Sequence, residues 1–290
     1  MPKKSMKEKL AAGELVLCMN LRLARSVDIA MVAKAGGYDA LYVDMQHAPY
    51  SIETTATICT AALGIGITPL VRVPNHDAQW MSRVLDGGAQ GVIVPDVNTS
   101  AQAKAIVSAC RFPPTGKRSV MRLGPALGYR AVPLSELNPK LNAETSVIVM
   151  LETAEGVENC EAVAAVDGID LLLIGSGDLT TDLGIPGQVD HPRLRAAYER
   201  VAAACRMHNK VLGVGGIRHN TVLQGELRPR SAPIRARSTA AIANPTQSML
   251  PVSRRRESDL LCWAAKSRSC RMISCATSWP SSSGVFATKR

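Results

Sequence analysis

Aromatic side chains are scarce in this 290-residue chain: Phe, Trp and Tyr make up 3% of it, with only two Phe. The 46% hydrophobic content is therefore almost all aliphatic, enough for one large α/β domain or two small ones. Long apolar runs are also lacking. No stretch approaches the roughly 18 uninterrupted residues of a membrane span, and the N-terminus has no signal-peptide core, so a cytoplasmic protein without membrane contact is expected. The eight cysteines lack the paired spacings of a zinc site and the density of a disulfide scaffold. Cys18, Cys59, Cys110 and Cys160 sit inside apolar runs and read as reduced thiols. Excess charge is missing from most of the chain as well. Residues 1–220 carry 22 Lys and Arg against 21 Asp and Glu, whereas residues 221–290 carry 12 against 3, so the net charge of +10 belongs to the tail.

What is present up to residue 216 is a rhythm. Short apolar runs at 15–19, 40–45, 68–73, 91–95, 146–151, 170–174 and 211–215 read as seven strands. Segments with helical spacing lie between them at 25–36, 51–63, 77–87, 99–110, 155–165 and 192–208. Several start with a plausible cap: Ser51 with Glu53, Asn75 or Asp77, and Thr99 or Ser100. Repeated β–α units predict a parallel sheet, and seven of them fit a (β/α)8 TIM barrel short of its last unit better than an open sheet. The stretch 111–145 interrupts the rhythm with Pro and Gly and reads as a long loop over the active-site end, with at most a short helix.

After about residue 220 the character changes. Residues 221–290 hold 12 serines and two of the three tryptophans, with no sustained period. The domain division expected is thus a barrel over 1–220 and a basic Ser/Arg-rich tail over 221–290, either disordered or translated out of frame, with the last β/α unit missing or replaced. Twelve cations would bind nucleic acid in a salt-dependent, unselective way, but neither aromatic–basic interleaving nor a known module accompanies them.

Barrel enzymes keep their chemistry at the C-terminal ends of strands. Polar residues there are Asp44, Gln46 and His47 after the second strand, Arg72 in the third, Glu152 after the fifth and Asp178 beyond the sixth. Each has an ordinary reading: His47 as a loop hydrogen-bonder, Arg72 as a bridge to a structural carboxylate, Glu152 and Asp178 as helix caps. Together they fit one reaction. Two carboxylates on neighbouring strands suit a hard divalent ion, Mg²⁺, Mn²⁺ or Co²⁺, with positions left for water and a chelating 2-oxo acid. His47 has the pKa range of a base that forms an enolate, and Arg72 would stabilise its charge. Gly175, Ser176 and Gly177, in IGSGDL, let backbone N–H groups approach a substrate carboxylate; a tight turn explains them equally well, and the phosphate-loop spacings are absent.

The motifs VDMQHAP, PLVRVPNHD, VLDGGAQGVIVP, CRFPPTGKRSV, VIVMLETAEGVEN, IGSGDLTTDLGIPG and DHP, in this order, resemble the HpcH/HpaI family of metal-dependent class II pyruvate aldolases over roughly residues 5–220. The resemblance implies a TIM barrel in a homo-oligomer built from dimers and commonly hexameric. It implies reversible cleavage of a 4-hydroxy-2-oxo acid to pyruvate and an aldehyde through a metal-stabilised enolate. By the same resemblance His47 is the base, Arg72 the enolate stabiliser, Asp86 the acid that orients His47, Glu152 and Asp178 the metal ligands, and Ser176, Gly177 and Asp178 the substrate-binding stretch. Gln46 stands where several members carry Glu, and Met150 where relatives carry a Gln that touches substrate. A citrate-lyase-like acyl-CoA lyase on the same fold, or an inactive truncated product, is the alternative; a barrel net charge of +1 offers little for CoA phosphates.

Overall fold

A computed structural model describes residues 5–217 and the segment 242–243. Seven parallel strands form where the apolar runs predict them: β1 (Val16–Leu21), β2 (Ala40–Asp44), β3 (Thr68–Arg72), β4 (Gly91–Val94), β5 (Ser146–Leu151), β6 (Leu171–Gly175) and β7 (Val211–Gly215). Each pairs with its neighbour in chain order, and a two-residue strand, β8 (Ile242–Ala243), pairs with both β7 and β1 and closes the barrel. Two residues of the expected tail thus take the eighth strand position. Residues 218–241 and 244–290, and with them the expected boundary near 220, lie outside the described residues.

The helices are α1 (Met6–Ala11), α2 (Asp28–Ala35), α3 (Ile52–Ile65), α4 (Ala78–Asp86), α5 (Ser100–Cys110), α6 (Leu134–Glu144), α7 (Ala154–Glu158), α8 (Cys160–Ala164), α9 (Ser176–Asp182) and α10 (Pro192–Met207). Local chemistry sets their starts. The Ser51 hydroxyl accepts from Thr54 N–H, the Asp77 carboxylate from Gln79 N–H, and Thr99 forms a reciprocal box with Gln102. α3 ends at Gly66, whose φ of 69° is the left-handed conformation that a side chain disfavours. No helix among the described residues is long and apolar enough to cross a membrane.

Strand alternation divides the core into two layers. Leu41, Val43, Val71, Val92, Val94, Val147, Val149, Leu172 and Ile174 point outward beneath the helices. Val16, Cys18, Ala40, Leu70, Ile93, Ile148, Met150, Leu171 and Leu173 fill the lumen. Met6 of α1 joins the lumen cluster, 1% exposed, and so seals the N-terminal end of the barrel. Lys7 beside Asp170 and Lys9 on Asp39 hold that plug in place. The five described cysteines are buried, unpaired thiols, and burial pushes Cys59, Cys110 and Cys205 up to about 12, which makes them inert.

The stretch 111–145 departs from expectation. It runs from the end of α5 to the start of β5, so it lies at the N-terminal end of the barrel and not over the mouth. Arg111 binds the carbonyl of Thr145 and the carboxylate of Asp170, the residues that lead into β5 and β6. The segment holds an 11-residue helix, α6, and a satellite core of Phe112, Leu137 and Leu141.

Candidate active site

Residues 44 and 72 are cross-strand partners at the C-terminal ends of β2 and β3, and both face the lumen. The Asp44 carboxylate is fully buried and accepts Arg72 Nε at 2.9 Å on Oδ1 and Arg72 Nη2 at 2.5 Å on Oδ2. Such a two-point fork fixes the plane of the guanidinium. Asp44 Oδ2 also accepts from Arg22 Nε at 2.9 Å, and Oδ1 from the His47 N–H at 3.2 Å. Burial alone would raise the Asp44 pKa, but these donors outweigh it and hold the carboxyl below its ordinary value. Asp44 thus organises three elements of the mouth. Its acidity, at a strand end next to His47, drew notice in the sequence, but the fork with Arg72 depends on strand register, which the sequence alone does not give.

With Nε and Nη2 on Asp44, Arg72 has Nη1 left, which donates weakly to the thioether of Met150 at 3.8 Å. The ring of Tyr42 lies 6.0 Å from the guanidinium carbon. His47 sits in the turn after β2, exposed, with its backbone pinned on Asp44 and its ring without a hydrogen-bond partner among the described residues. Gln46 Oε1 is buried beside it with no partner among the described residues.

Across the mouth, Glu152 follows β5 and is 2% exposed. It is not a helix cap: Thr153 caps α7, through its hydroxyl on Gly156 N–H at 3.0 Å. Glu152 Oε1 accepts from Asp96 N–H at 3.2 Å, and Asp178, in the first turn of α9, lies near enough to the Glu152 carboxyl to raise its pKa. Burial, and then the neighbouring Asp178 and Asp96 carboxylates, push Glu152 up to about 7 against the lowering pull of the Asp96 N–H. The two acids lie together because Gly175 has no side chain. A Cβ there would come within 2.7 Å of Glu152 Oε2 and 2.8 Å of its Cγ. Gly177, two residues on, is exposed, and a Cβ built on it meets nothing within 4 Å.

Two of the expected site residues turn their side chains away from the mouth of their own chain. Asp86 ends α4, just before the start of β4, which puts it at the opposite end of the barrel from His47 of the same chain. It pairs there with Arg118 at 2.7 Å and lines a hollow with Gln90 and Thr145. The Ser176 side chain is fully buried and its hydroxyl lies 2.8 Å from Tyr198 OH on α10, so it faces away from the mouth. No group of three or more His, Cys, Asp or Glu gathers as a metal cluster among the described residues; the oxygen donors present are the pair Glu152 and Asp178.

A parallel α/β barrel with a forked arginine, a free imidazole and a carboxylate pair at the C-terminal end of its strands defines a barrel enzyme. The profile of the HpcH/HpaI aldolase/citrate lyase family matches residues 20–232, and the chain belongs to that family. The 4-hydroxy-4-methyl-2-oxoglutarate aldolase of Hapsidospora irregularis is 42% identical over 218 residues, covering 74% of this chain and 81% of that one. The 4-hydroxy-2-oxovalerate aldolase of Novosphingobium aromaticivorans is 41% identical over 190 residues, 64% of this chain and 70% of that one. The crystal structure of an HpcH/HpaI aldolase from Desulfitobacterium hafniense superposes with a TM-score of 0.75 at 28% identity, covering 83% of this chain and 91% of that one. The chain is accordingly a lyase of the aldolase kind.

Proposed function

We propose that the mouth reversibly cleaves a 4-hydroxy-2-oxo acid to pyruvate and an aldehyde, with a divalent cation held by Glu152 and Asp178. The observation that carries this is the carboxylate pair at the same mouth as Arg72, whose Nη1 has only the weak acceptor Met150 Sδ as partner among the described residues. A buried acid forced up to about 7 beside a second, exposed carboxylate at the mouth is a poor arrangement on its own and a good donor set for a hard cation. Such a cation, Mg²⁺, Mn²⁺ or Co²⁺, would supply Lewis-acid polarisation of the substrate's 2-oxo group.

The chain's own groups account for the remaining work. The Gly177 N–H, at the open side of α9, receives the substrate carboxylate. His47, free at both ring nitrogens among the described residues, takes the proton of the C4 hydroxyl. The C3–C4 bond then breaks, the aldehyde forms at C4, the bonding electrons become the C2=C3 double bond, and the carbonyl pair of C2 moves onto its oxygen. Arg72 Nη1 donates to that oxygen as its charge grows, and because Asp44 already holds the guanidinium plane, no reorganisation is needed. Proton return to C3 completes pyruvate.

Deuterium exchange into the methyl group of pyruvate, followed by NMR in D₂O with Mn²⁺ and again with a chelator, tests this without knowledge of the aldehyde. Metal-dependent exchange is expected. His47→Ala should abolish it and leave Mn²⁺ affinity nearly intact, while Glu152→Ala should lose both. Equal loss of metal in the two variants would break the division of roles.

A further inference from the structure

The uneven charge of the mouth points to a second recognition element. On the β1–β3 side, Arg22 and Arg72 share the single carboxylate of Asp44, which leaves one surplus positive charge. Arg72 is 4% exposed and forked on Asp44, so the surplus resides at the tip of Arg22. That side chain is 48% exposed, anchored by Nε alone at 2.9 Å, and its two terminal nitrogens have no partner among the described residues. Asn20 shares the lumen face of β1 with Val16 and Cys18, and Arg22, the first residue past the end of that strand, is turned to the mouth by its bond to Asp44. Asn20 Oδ1 is itself buried with no partner among the described residues.

The backbone that presents Arg22 is held firmly. Arg25 donates to the carbonyls of Leu23 and Pro49 at 3.2 and 3.3 Å and lies 5.3 Å from the centre of the Tyr50 ring, while Tyr50 OH donates to the Ala24 carbonyl at 2.6 Å. The loop after β1 is thereby bolted to the loop after β2. The acidic pair Glu152 and Asp178 follows β5 and β6, across the lumen from β1, with Arg72 and His47 between.

We propose that Arg22, with Asn20 beneath it, binds a second carboxylate at the far end of the substrate, so that the enzyme prefers 4-hydroxy-2-oxo dicarboxylic acids over monocarboxylic ones. This rests on the aldolase reading, which sets the 2-oxo end at Glu152 and Asp178 and therefore directs the cleaved aldehyde end toward β1. The Arg22 tip then meets the distal carboxylate with two charge-assisted donors, which an uncharged chain end cannot use. Arg22 is a specificity residue and takes no part in bond cleavage.

The test compares kcat/KM for two dicarboxylates, 4-hydroxy-2-oxoheptanedioate and 4-hydroxy-4-methyl-2-oxoglutarate, each against the analogue in which a methyl replaces the distal carboxylate, in wild type, Arg22→Met and Arg22→Lys. Wild type should favour the dicarboxylate at least about tenfold in one pair; Arg22→Met should bring that ratio near one, mainly through KM, and Arg22→Lys should keep part of it. Pyruvate methyl exchange run alongside reports the chemistry separately. Exchange with no dicarboxylate preference in wild type, or a loss in Arg22→Met that falls equally on both members of a pair, overturns the subsite alone. Absence of metal-dependent exchange in wild type overturns the aldolase reading and the subsite with it.

Discussion

Glu152 is the residue whose protonation would link folding to the proposed cation binding. Its ordinary pKa of 4.5 is raised to about 7 in the folded chain. The sign follows directly: the folded state keeps a proton that the unfolded chain has already lost, so stability is greatest below the unfolded value and falls as pH rises toward 7. The loss is on the order of 2–3 kcal/mol once both values are passed. A divalent cation held by Glu152, as proposed, would have to displace that same proton. Mn²⁺ affinity measured by titration calorimetry should therefore rise about tenfold between pH 6 and pH 8, with one proton released and a heat that depends on buffer ionisation. Glu152→Gln should bind Mn²⁺ more weakly and without that slope. An affinity flat across this range in wild type would show that Glu152 is not the group being displaced. At this scale the sequence was legible for Glu152, Asp178, His47 and Arg72, because each is polar where an apolar run stops. It was not legible for the partners of those residues. The fork from Arg72 to Asp44 depends on register, and the Ser176 hydroxyl turns toward Tyr198, 22 residues further along, because the first turn of α9 rotates it away from the lumen.

Among the elements, β6 and the turn into α9 carry most of the construction. Gly175 ends the strand with no side chain, and the Glu152 carboxylate from β5 lies over it. Gly175→Ala would put a methyl within 2.7–3.0 Å of the Glu152 Oε2, Cγ and Cδ atoms, closer than real contacts allow. Because φ at Gly175 is −89°, alanine fits the backbone and the conflict falls on Glu152. The barrel should fold, with a cost of roughly 1–3 kcal/mol from the crowding, and Mn²⁺ affinity should fall at least tenfold; thermal unfolding and metal titration on the same sample separate the two. Unchanged metal affinity would mean that Glu152 has room to move aside and still ligate. The strands and most helices could be placed beforehand because apolar runs and caps are local signals. The segment 111–145 could not. Its Pro and Gly content resembles a loop, and its 11-residue α6 starts at Pro133 with no side-chain cap to mark it.

The described part of the chain is a barrel with two chemically distinct ends, and that polarity explains where its charged residues are useful. At the N-terminal end, Asp39, Asp86 and Asp170 pair with Lys9, Arg118 and Arg111, in contacts that hold α1 and the 111–145 segment in place. At the C-terminal end the charges are left partly unmatched and face the mouth. A resemblance carried over residue by residue keeps the identity of Asp86 but not the end of the barrel it occupies, and only the folded chain shows that. Closure is the other property that belongs to the whole. β8 has two residues, yet it supplies the pairing that the facing edges of β1 and β7 otherwise lack, at Val16, Leu17 and Val214. Unpaired parallel edges beside an aliphatic lumen invite association between chains. A chain ended after Ile217 should therefore aggregate or melt several degrees below one ended after Thr246, since a loss of about 2 kcal/mol in a domain of this size lowers Tm by roughly 4–8 °C. Light scattering and a thermal melt of the two proteins side by side decide it. Equal melting points and equal solubility would show that the barrel is held by its seven long strands alone, and that the tail contributes nothing to its closure.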